Sequence, residues 1–145
     1  MEENNIKEIF IPLNTPSSKN GKQWTGSFLT SSPATHKWRR LTKDFWTENK
    51  DKFLEMIENE PIDTPLLIGM HFVRKSRHKF DFNNVTQTIQ DEMVKYGWLE
   101  DDNITKMIPL PLLKNQTFFS YDKKNPGVYI KIIHKNKDNF VSLTF

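Results

Sequence analysis

The chain has 145 residues, with 21 basic and 18 acidic side chains and a formal net charge of only +3. This length suits one domain, residues 1–145, which can bury about 70% of the surface that its unfolded chain exposes. The absence of cysteine excludes disulfides, cysteine-based zinc sites and thiol catalysis, and the 11 Phe and 4 Trp residues argue against a disordered chain.

The first half of the chain predicts a strand, a loop and a long helix. Residues 6–13 are predicted as a strand that ends at Pro12. Residues 14–26 are rich in turn-forming residues and are predicted as a loop, with a short strand at 27–30. Ser32 can cap a helix that begins at Pro33. A helix over residues 33–58 follows from apolar residues on one face: Trp38, Leu41, Phe45, Phe53, Met56 and Ile57.

The middle of the chain combines a fully apolar strand with an amphipathic helix. Residues 65–73 form a continuous apolar run, which predicts a central strand buried on both faces. A helix is predicted over residues 84–96, with Asn83 as its N-cap and Gly97 as its stop. Its apolar positions recur at three- and four-residue spacing: Val85, Ile89, Met93 and Tyr96.

The last third of the chain predicts strands only. Residues 104–113 contain two prolines and predict at most an edge strand. Residues 118–121 are ambiguous, and residues 127–134 are the clearest late strand. The predicted fold class is α/β in the broad sense (α+β), a single-domain mixed sheet with helices packed on it.

The charges between residues 74 and 102 are separated along the chain. Residues 74–79, the basic segment, carry four cations and no acid: Arg74, Lys75, Arg77 and Lys79. Acidic residues then dominate at positions 91, 92, 100, 101 and 102. A helix over residues 84–96 is ~20 Å long, and an extended chain from 97 to 102 can cover up to ~20 Å on the way back. We therefore expect Asp102 to lie beside Asp81, facing a polar stripe of the helix that consists of Asn84, Gln87 and Asp91.

Carboxylates gathered in this way predict a divalent-cation site. Their mutual repulsion is removed by a cation with oxygen ligands. Mg²⁺ takes one or two protein carboxylates and fills its other positions with water and substrate phosphates, and Mn²⁺ suits the same ligands. The basic segment would hold a phosphodiester backbone, so metal-assisted phosphodiester hydrolysis is the predicted chemistry. Spacing alone leaves open that these charges are merely solvated.

Residues 81–102 resemble the core of the RusA-type Holliday-junction resolvases. The matching elements are Asp81-Phe-Asn-Asn84, then Asp91, then Gly97-Trp-Leu followed by Asp101-Asp102, and Pro16-Ser-Ser-Lys-Asn20 resembles the family's N-terminal segment. The resemblance implies a RusA-like fold and a small homodimeric endonuclease, often encoded by phages. Such an enzyme uses magnesium to nick four-way DNA junctions symmetrically in recombination and repair.

The resemblance implies a role for several positions of this chain. Asp81 matches the first catalytic aspartate, Asp102 matches the last, and Asp101 precedes it. Asn84 and Asp91 match the family's asparagine and its mid-helix acid. Two positions depart, because Asn83 stands where a second catalytic aspartate is expected and Gln87 stands where a lysine is expected. Our hypothesis is that Asn83 remains a weaker metal ligand and that Asp101 or Asp91 supplies the missing carboxylate. The metal ligands are then expected to be Asp81, Asn83, Asp91 and Asp102.

Further basic residues are candidate DNA contacts. Beyond the basic segment they are Lys37, Arg39 and Arg40 on the first helix, and Lys19 and Lys22 in the early loop. The alternative for each is an ordinary solvated charge. Of the four histidines, His71 is expected to be a core residue with satisfied hydrogen bonds, and His78 a possible phosphate contact. Phe80 and Phe82 are expected to be core residues, with stacking on exposed bases as the alternative.

The function predicted from these observations is magnesium-dependent cleavage of branched DNA by a cytoplasmic homodimer, with no membrane association. The longest uncharged apolar stretch, residues 65–73, is far shorter than the ~20 residues that span a bilayer. One alternative is a binding module of the same family that holds branched DNA without cutting it, which Asn83 and Gln87 favour. The other is a basic domain of unrelated function whose acidic pair is incidental.

Overall fold

The architecture comes from a computed structural model, which describes residues 8–18, 22–24, 29–58, 64–135 and 143. Two helices and seven strands lie within these residues. In chain order they are β1 (Ile9–Pro12), β2 (Lys22–Trp24), β3 (Leu29–Ser31), α1 (Pro33–Glu58), β4 (Leu66–Arg74), α2 (Phe82–Lys95), β5 (Met107–Pro111), β6 (Phe119–Tyr121) and β7 (Gly127–Ile133).

The main sheet is built around β4, whose first eight residues are all buried. Strand β7 pairs antiparallel with one edge of β4 and carries β1 on its other side. The opposite edge of β4 is shared by two short parallel strands, with β5 along residues 66–70 and β6 along residues 72–74. The predicted central strand, the edge position of β5 and the late strand are thus confirmed. The structure also assigns the ambiguous run 118–121 to β6.

Helix α1 has the predicted bounds, and the hydroxyl of Ser32 accepts a hydrogen bond from the backbone N–H of Thr35 at 3.2 Å. Its predicted buried face is partly wrong, because Leu41 and Phe45 are exposed while Thr42 and Trp46 are buried. Thr42 can be buried because its hydroxyl donates to a main-chain carbonyl one turn back and accepts from the indole N–H of Trp46. A hydropathy pattern treats threonine as polar whether or not its hydroxyl is hydrogen-bonded, so it does not predict this burial.

Helix α2 begins earlier than predicted, and its N-cap is Asp81 rather than Asn83. The Asp81 carboxylate accepts a hydrogen bond from the backbone N–H of Asn83 at 3.1 Å, which satisfies one of the free amides at the helix start. Gly97 follows the helix with a φ of 82°, as expected for a stop residue. The predicted apolar face is buried, with Val85, Ile89 and Met93 in the core.

The predicted loop 14–26 is wrong at residues 22–24, which form β2 and pair with β3 in a two-stranded hairpin. Ladder pairing uses main-chain groups, so a run without apolar alternation can still form a strand. The core joins residues from both helices and from the main sheet, which makes a single-domain α+β fold. Among the described residues, no helix has the length and apolar character needed to cross a membrane.

Candidate functional site

Two carboxylates of the predicted acidic cluster meet on the side chain of Gln87. Its amide nitrogen donates to Asp91 Oδ1 at 2.8 Å and to Asp102 Oδ2 at 3.0 Å. Gln87 and Asp91 are one helical turn apart on α2, so they share a face. Asp102 arrives from the turn that follows the helix. Because both oxygens lie beside one nitrogen, the two carboxylates are close to each other, and Gln87 is the residue that holds them there.

The other predicted ligands occupy different surroundings. Asp81 is exposed and caps α2, and Asn83 is exposed in the first turn of that helix. Asp101 is also exposed, and its carboxylate accepts hydrogen bonds from the backbone N–H of Asp102 at 2.7 Å and from the Asn103 amide at 2.8 Å. These two hydrogen bonds lower the pKa of Asp101. Asp101 therefore stabilises the turn that positions Asp102.

Asp102 returns to helix α2, as expected, and its meeting with Asp81 stays a prediction. The observed partner of Asp102 is Gln87, which lies six residues along the chain from Asp81. Among the described residues, no three histidine or acidic side chains are grouped closely enough to hold a metal ion. The two carboxylates that meet at Gln87 still offer the oxygen ligands that Mg²⁺ prefers, since this ion needs no more than one or two protein carboxylates. Asp91 and Asp102 are the pair that meets this requirement.

The loop after β1, residues 14–18, ties the basic segment to α2. Four hydrogen bonds hold it: Arg74 Nη1 to Thr15 O at 2.7 Å, Lys75 N–H to Asn14 Oδ1 at 2.9 Å, Thr88 Oγ1 to Pro16 O at 2.7 Å and Ser18 N–H to Asn84 O at 3.0 Å. The Pro16-Ser-Ser stretch of the proposed resemblance thus lies against the helix that carries the acidic pair. Residues 19–21 of the same segment, including Lys19, lie outside the described residues.

The basic segment divides into a structural arginine and three exposed cations. Arg74 is half-buried, and its guanidinium lies 4.8 Å from the centre of the Phe80 ring besides donating to the loop. Burial lowers the pKa of Arg74. Lys75, Arg77 and Lys79 are exposed. These three, rather than Arg74, remain candidates for contacts with a phosphate backbone.

The basic face of α1 is divided in the same way. Arg39 forms an ion pair with Glu92 of α2 at 3.4 Å, and the Glu92 side chain is only 1% exposed. Burial raises the pKa of Glu92, although the nearby Lys95 and Arg39 act in the opposite direction. Lys37 and Arg40 are exposed, so they remain candidates for contacts with DNA. The side chain of Lys22 lies outside the described residues.

The aromatic residues beside Asp81 are core residues, as first expected. Phe80 and Phe82 are half-buried, and both contact Phe72 edge-on, with ring centres 6.4 Å and 6.0 Å apart. His71 is fully buried, and its two ring nitrogens lie 2.9 Å from Leu112 O and from Ser120 Oγ. This confirms His71 as a core histidine whose hydrogen bonds are satisfied.

Sequence reasoning missed the exposed aromatic residues opposite the basic segment. Phe118, Phe119 and Tyr121 lie on or next to β6, and all three are exposed. The available signal was three aromatic residues within four positions, since exposed large rings are unusual at a strand edge. Sequence reasoning singled out Gln87 but did not predict its hydrogen bonds to Asp91 and Asp102, which form only because the turn brings Asp102 back to the helix.

No protein-family model and no curated protein matches this chain. The resemblance to junction resolvases therefore depends on the sequence residues quoted above and stays a prediction.

Proposed function

We propose that the protein is a magnesium-dependent endonuclease that cuts branched DNA, with four-way junctions as its substrate. The observation that supports this proposal is the meeting of Asp91 and Asp102 on Gln87, on a helix that is capped by Asp81 and follows the exposed cations of residues 75–79 in the chain. Anionic oxygens for a hard cation and positive charge for phosphates are the two requirements of metal-assisted phosphodiester hydrolysis.

The proposal assigns a separate role to each group of residues. Asp91 and Asp102 would hold Mg²⁺, with Asn83 and Asp81 supplying oxygens from the start of α2. The ion would lower the pKa of a water nucleophile and stabilise charge on the leaving oxygen. Lys75, Arg77 and Lys79 bind backbone phosphates, and Asp101 positions Asp102 through the turn that its carboxylate organises.

The decisive experiment is a cleavage assay on a synthetic four-way junction and a linear duplex, each with Mg²⁺ or with EDTA. We expect paired nicks in the junction only, and only with Mg²⁺. Asp102→Asn should lower the rate by about a hundredfold or more. Asp51→Asn, which changes an exposed acid on α1, should leave it unchanged. Nicking that persists in EDTA, or equal activity of the two variants, would contradict the proposal.

A second candidate function is binding of branched DNA without cleavage. The observation that favours it is the neutral amide of Gln87, which already donates a hydrogen bond to each of the two carboxylates without a cation. Tight junction binding with no nicks in either Mg²⁺ or Mn²⁺ would support this candidate over the first. An absence of both binding and nicking would leave the acidic pair as an incidental feature of an unrelated domain.

The proposal includes an assembly and a cellular location. Symmetric cleavage of a four-way junction needs two active sites, so we propose that two copies of the chain act together. We also propose a cytoplasmic location, with which the absence of cysteine is compatible. Sedimentation of the protein with DNA junctions measures how many copies of the chain bind each junction. We expect two, and a ratio of one copy per junction would contradict the proposed assembly.

A further inference from the structure

A cavity of about 720 Å³ opens between β6 and the basic segment. Its volume is in the range of small-molecule binding pockets. Six of its lining residues are aromatic: Phe72, Phe80, Phe82, Phe118, Phe119 and Tyr121. Since Phe80 precedes Asp81 in the chain, the cavity lies beside the start of α2. It is separate from the acidic pair, none of whose residues lines it.

The charged residues that line the cavity are all basic. They are Arg74, Arg77 and Lys79, and no aspartate or glutamate lines it. The Arg77 guanidinium lies 4.6 Å from the centre of the Tyr121 ring, which places a cation over an aromatic face. A ligand that complements this wall needs a flat ring system together with negative charge.

The aromatic side of the cavity is exposed and yet held in place. Phe118, Phe119 and Tyr121 are 56%, 59% and 41% exposed. The chain that carries them is fixed by the two hydrogen bonds of His71 and by a tight turn, in which the main-chain groups of Lys114 and Thr117 pair at 2.8 Å and 3.1 Å. Exposed rings on a fixed backbone can stack with a ligand at a low ordering cost, because only the side chains have to be immobilised.

We propose that this cavity binds an unpaired base of a DNA strand by stacking it on Phe118 and Phe119, while Arg77 and Lys79 contact the adjoining phosphates. A paired base offers its ring faces only to its neighbours in the helix, so the cavity selects unpaired nucleotides, such as those at a branch point. This inference deepens the proposed function and depends on it in one respect, that the ligand is DNA. It does not depend on cleavage.

The test is a binding measurement in EDTA, so that catalysis does not enter. Fluorescence anisotropy would compare a labelled oligothymidylate with an abasic oligonucleotide of the same length and with a duplex. We expect the oligothymidylate to bind about tenfold more tightly than the abasic strand, because each stacked base adds affinity that phosphates alone do not supply. Equal affinity for the two strands, or tighter binding of the duplex, would overturn the inference.

Variants of the cavity wall separate stacking from charge. Phe118→Ala and Phe119→Ala should each weaken oligothymidylate binding by about tenfold, with Phe119→Trp retaining it. Phe45→Ala, which removes an exposed ring on α1, should have no effect. Arg77→Ala should weaken binding to the abasic strand as well, and lower the salt dependence by about 0.7 in the slope of log K against log salt. Phe119→Ala binding that matches the wild type would refute stacking at this wall.

The outcomes also separate this inference from the proposed function. Base-dependent binding without nicking of junctions would leave the cavity proposal standing and remove the endonuclease. Nicking of junctions without base-dependent binding would remove the cavity proposal alone.

Discussion

Replacing Gln87 by glutamate tests the acidic pair most directly. The wild-type amide nitrogen donates to Asp91 and Asp102 at 2.8 Å and 3.0 Å. The new carboxyl has nearly the same shape, but Gln87→Glu exchanges two hydrogen bonds for repulsion among three negative charges. All three side chains are half-buried, so water screens this repulsion only in part.

The size of the effect is limited by protonation. Two like charges about 4 Å apart repel by about 4 kcal/mol at an effective dielectric constant of 20. The new carboxyl can instead take up a proton, which at pH 7 costs about 3.7 kcal/mol for a group with an ordinary pKa of about 4.3. We therefore expect Gln87→Glu to lower the free energy of unfolding by about 2–4 kcal/mol, and the melting temperature by roughly 6–14 °C.

The pH dependence of this loss follows from the direction of the pKa change. Repulsion raises the pKa of the new carboxyl in the folded protein above its value in the unfolded chain. The electrostatic part of the loss should fade as the pH falls towards 4, where the carboxyl takes up a proton in both states, and should grow as the pH rises to 7. The part that comes from the lost hydrogen bond should remain at both pH values, since a protonated carboxyl has only one hydrogen to donate. Mg²⁺ should restore most of the lost stability at pH 7, because a cation bound between the carboxylates replaces their repulsion with attraction to the ion.

The assay is thermal unfolding followed by circular dichroism at pH 4 and pH 7, in EDTA and in Mg²⁺. Gln116→Glu, in an exposed turn away from the acidic pair, is the matched control and should change little under any condition. An equal loss at both pH values would refute the electrostatic reasoning. A loss at pH 7 that Mg²⁺ does not reduce would refute a cation site at this pair.

Three further predictions concern single residues. Asp81→Ala should cost about 1 kcal/mol of stability through the lost N-cap, whereas Asp81→Asn should keep the cap and lose only cleavage; equal melting temperatures for the two variants would contradict the capping role. Glu92→Gln should gain stability relative to the wild type as the pH rises from 4 to 7, measured by urea unfolding. The raised pKa means that ionisation of Glu92 costs the folded state more than the unfolded one. A difference in unfolding free energy between the two proteins that stays the same at both pH values would contradict this. His71→Leu should lower the unfolding free energy by about 1–3 kcal/mol, because it leaves two half-buried partners, Leu112 O and Ser120 Oγ, without their hydrogen bonds, and should speed proteolysis between β5 and β6; unchanged proteolysis there would show that other contacts hold the connection.

The periodicity of the chain determined most of the secondary structure, because helix and strand patterns are local. The bounds of α1 follow from Ser32-Pro33 and the apolar spacing, and the burial of β4 follows from its uninterrupted apolar run. The edge position of β5 follows from its two prolines. The errors occur where a polar group is satisfied in a way that hydropathy does not register, as at Thr42.

The candidate site was predictable in composition but only partly in arrangement. The sequence showed that acids and bases are separated between residues 74 and 102, and it placed Gln87 and Asp91 on one face of a helix. It did not show which cations remain exposed. Arg74 and Arg39 are engaged by a loop carbonyl and by a buried glutamate, and both partners come from distant parts of the chain.

By itself, then, the sequence determined most of the elements, their order and the segregation of charge, since each depends on residues a few positions apart. Only the tertiary structure decided that Asp102 meets Gln87, that Asp81 caps α2, and that an aromatic wall from β6 faces the basic segment. The physical reason is that these contacts depend on the turn after α2 and on the pairing of β6 with β4. The small net charge of the chain conceals that arrangement, with cations gathered beside one cavity and two acids held together by one amide.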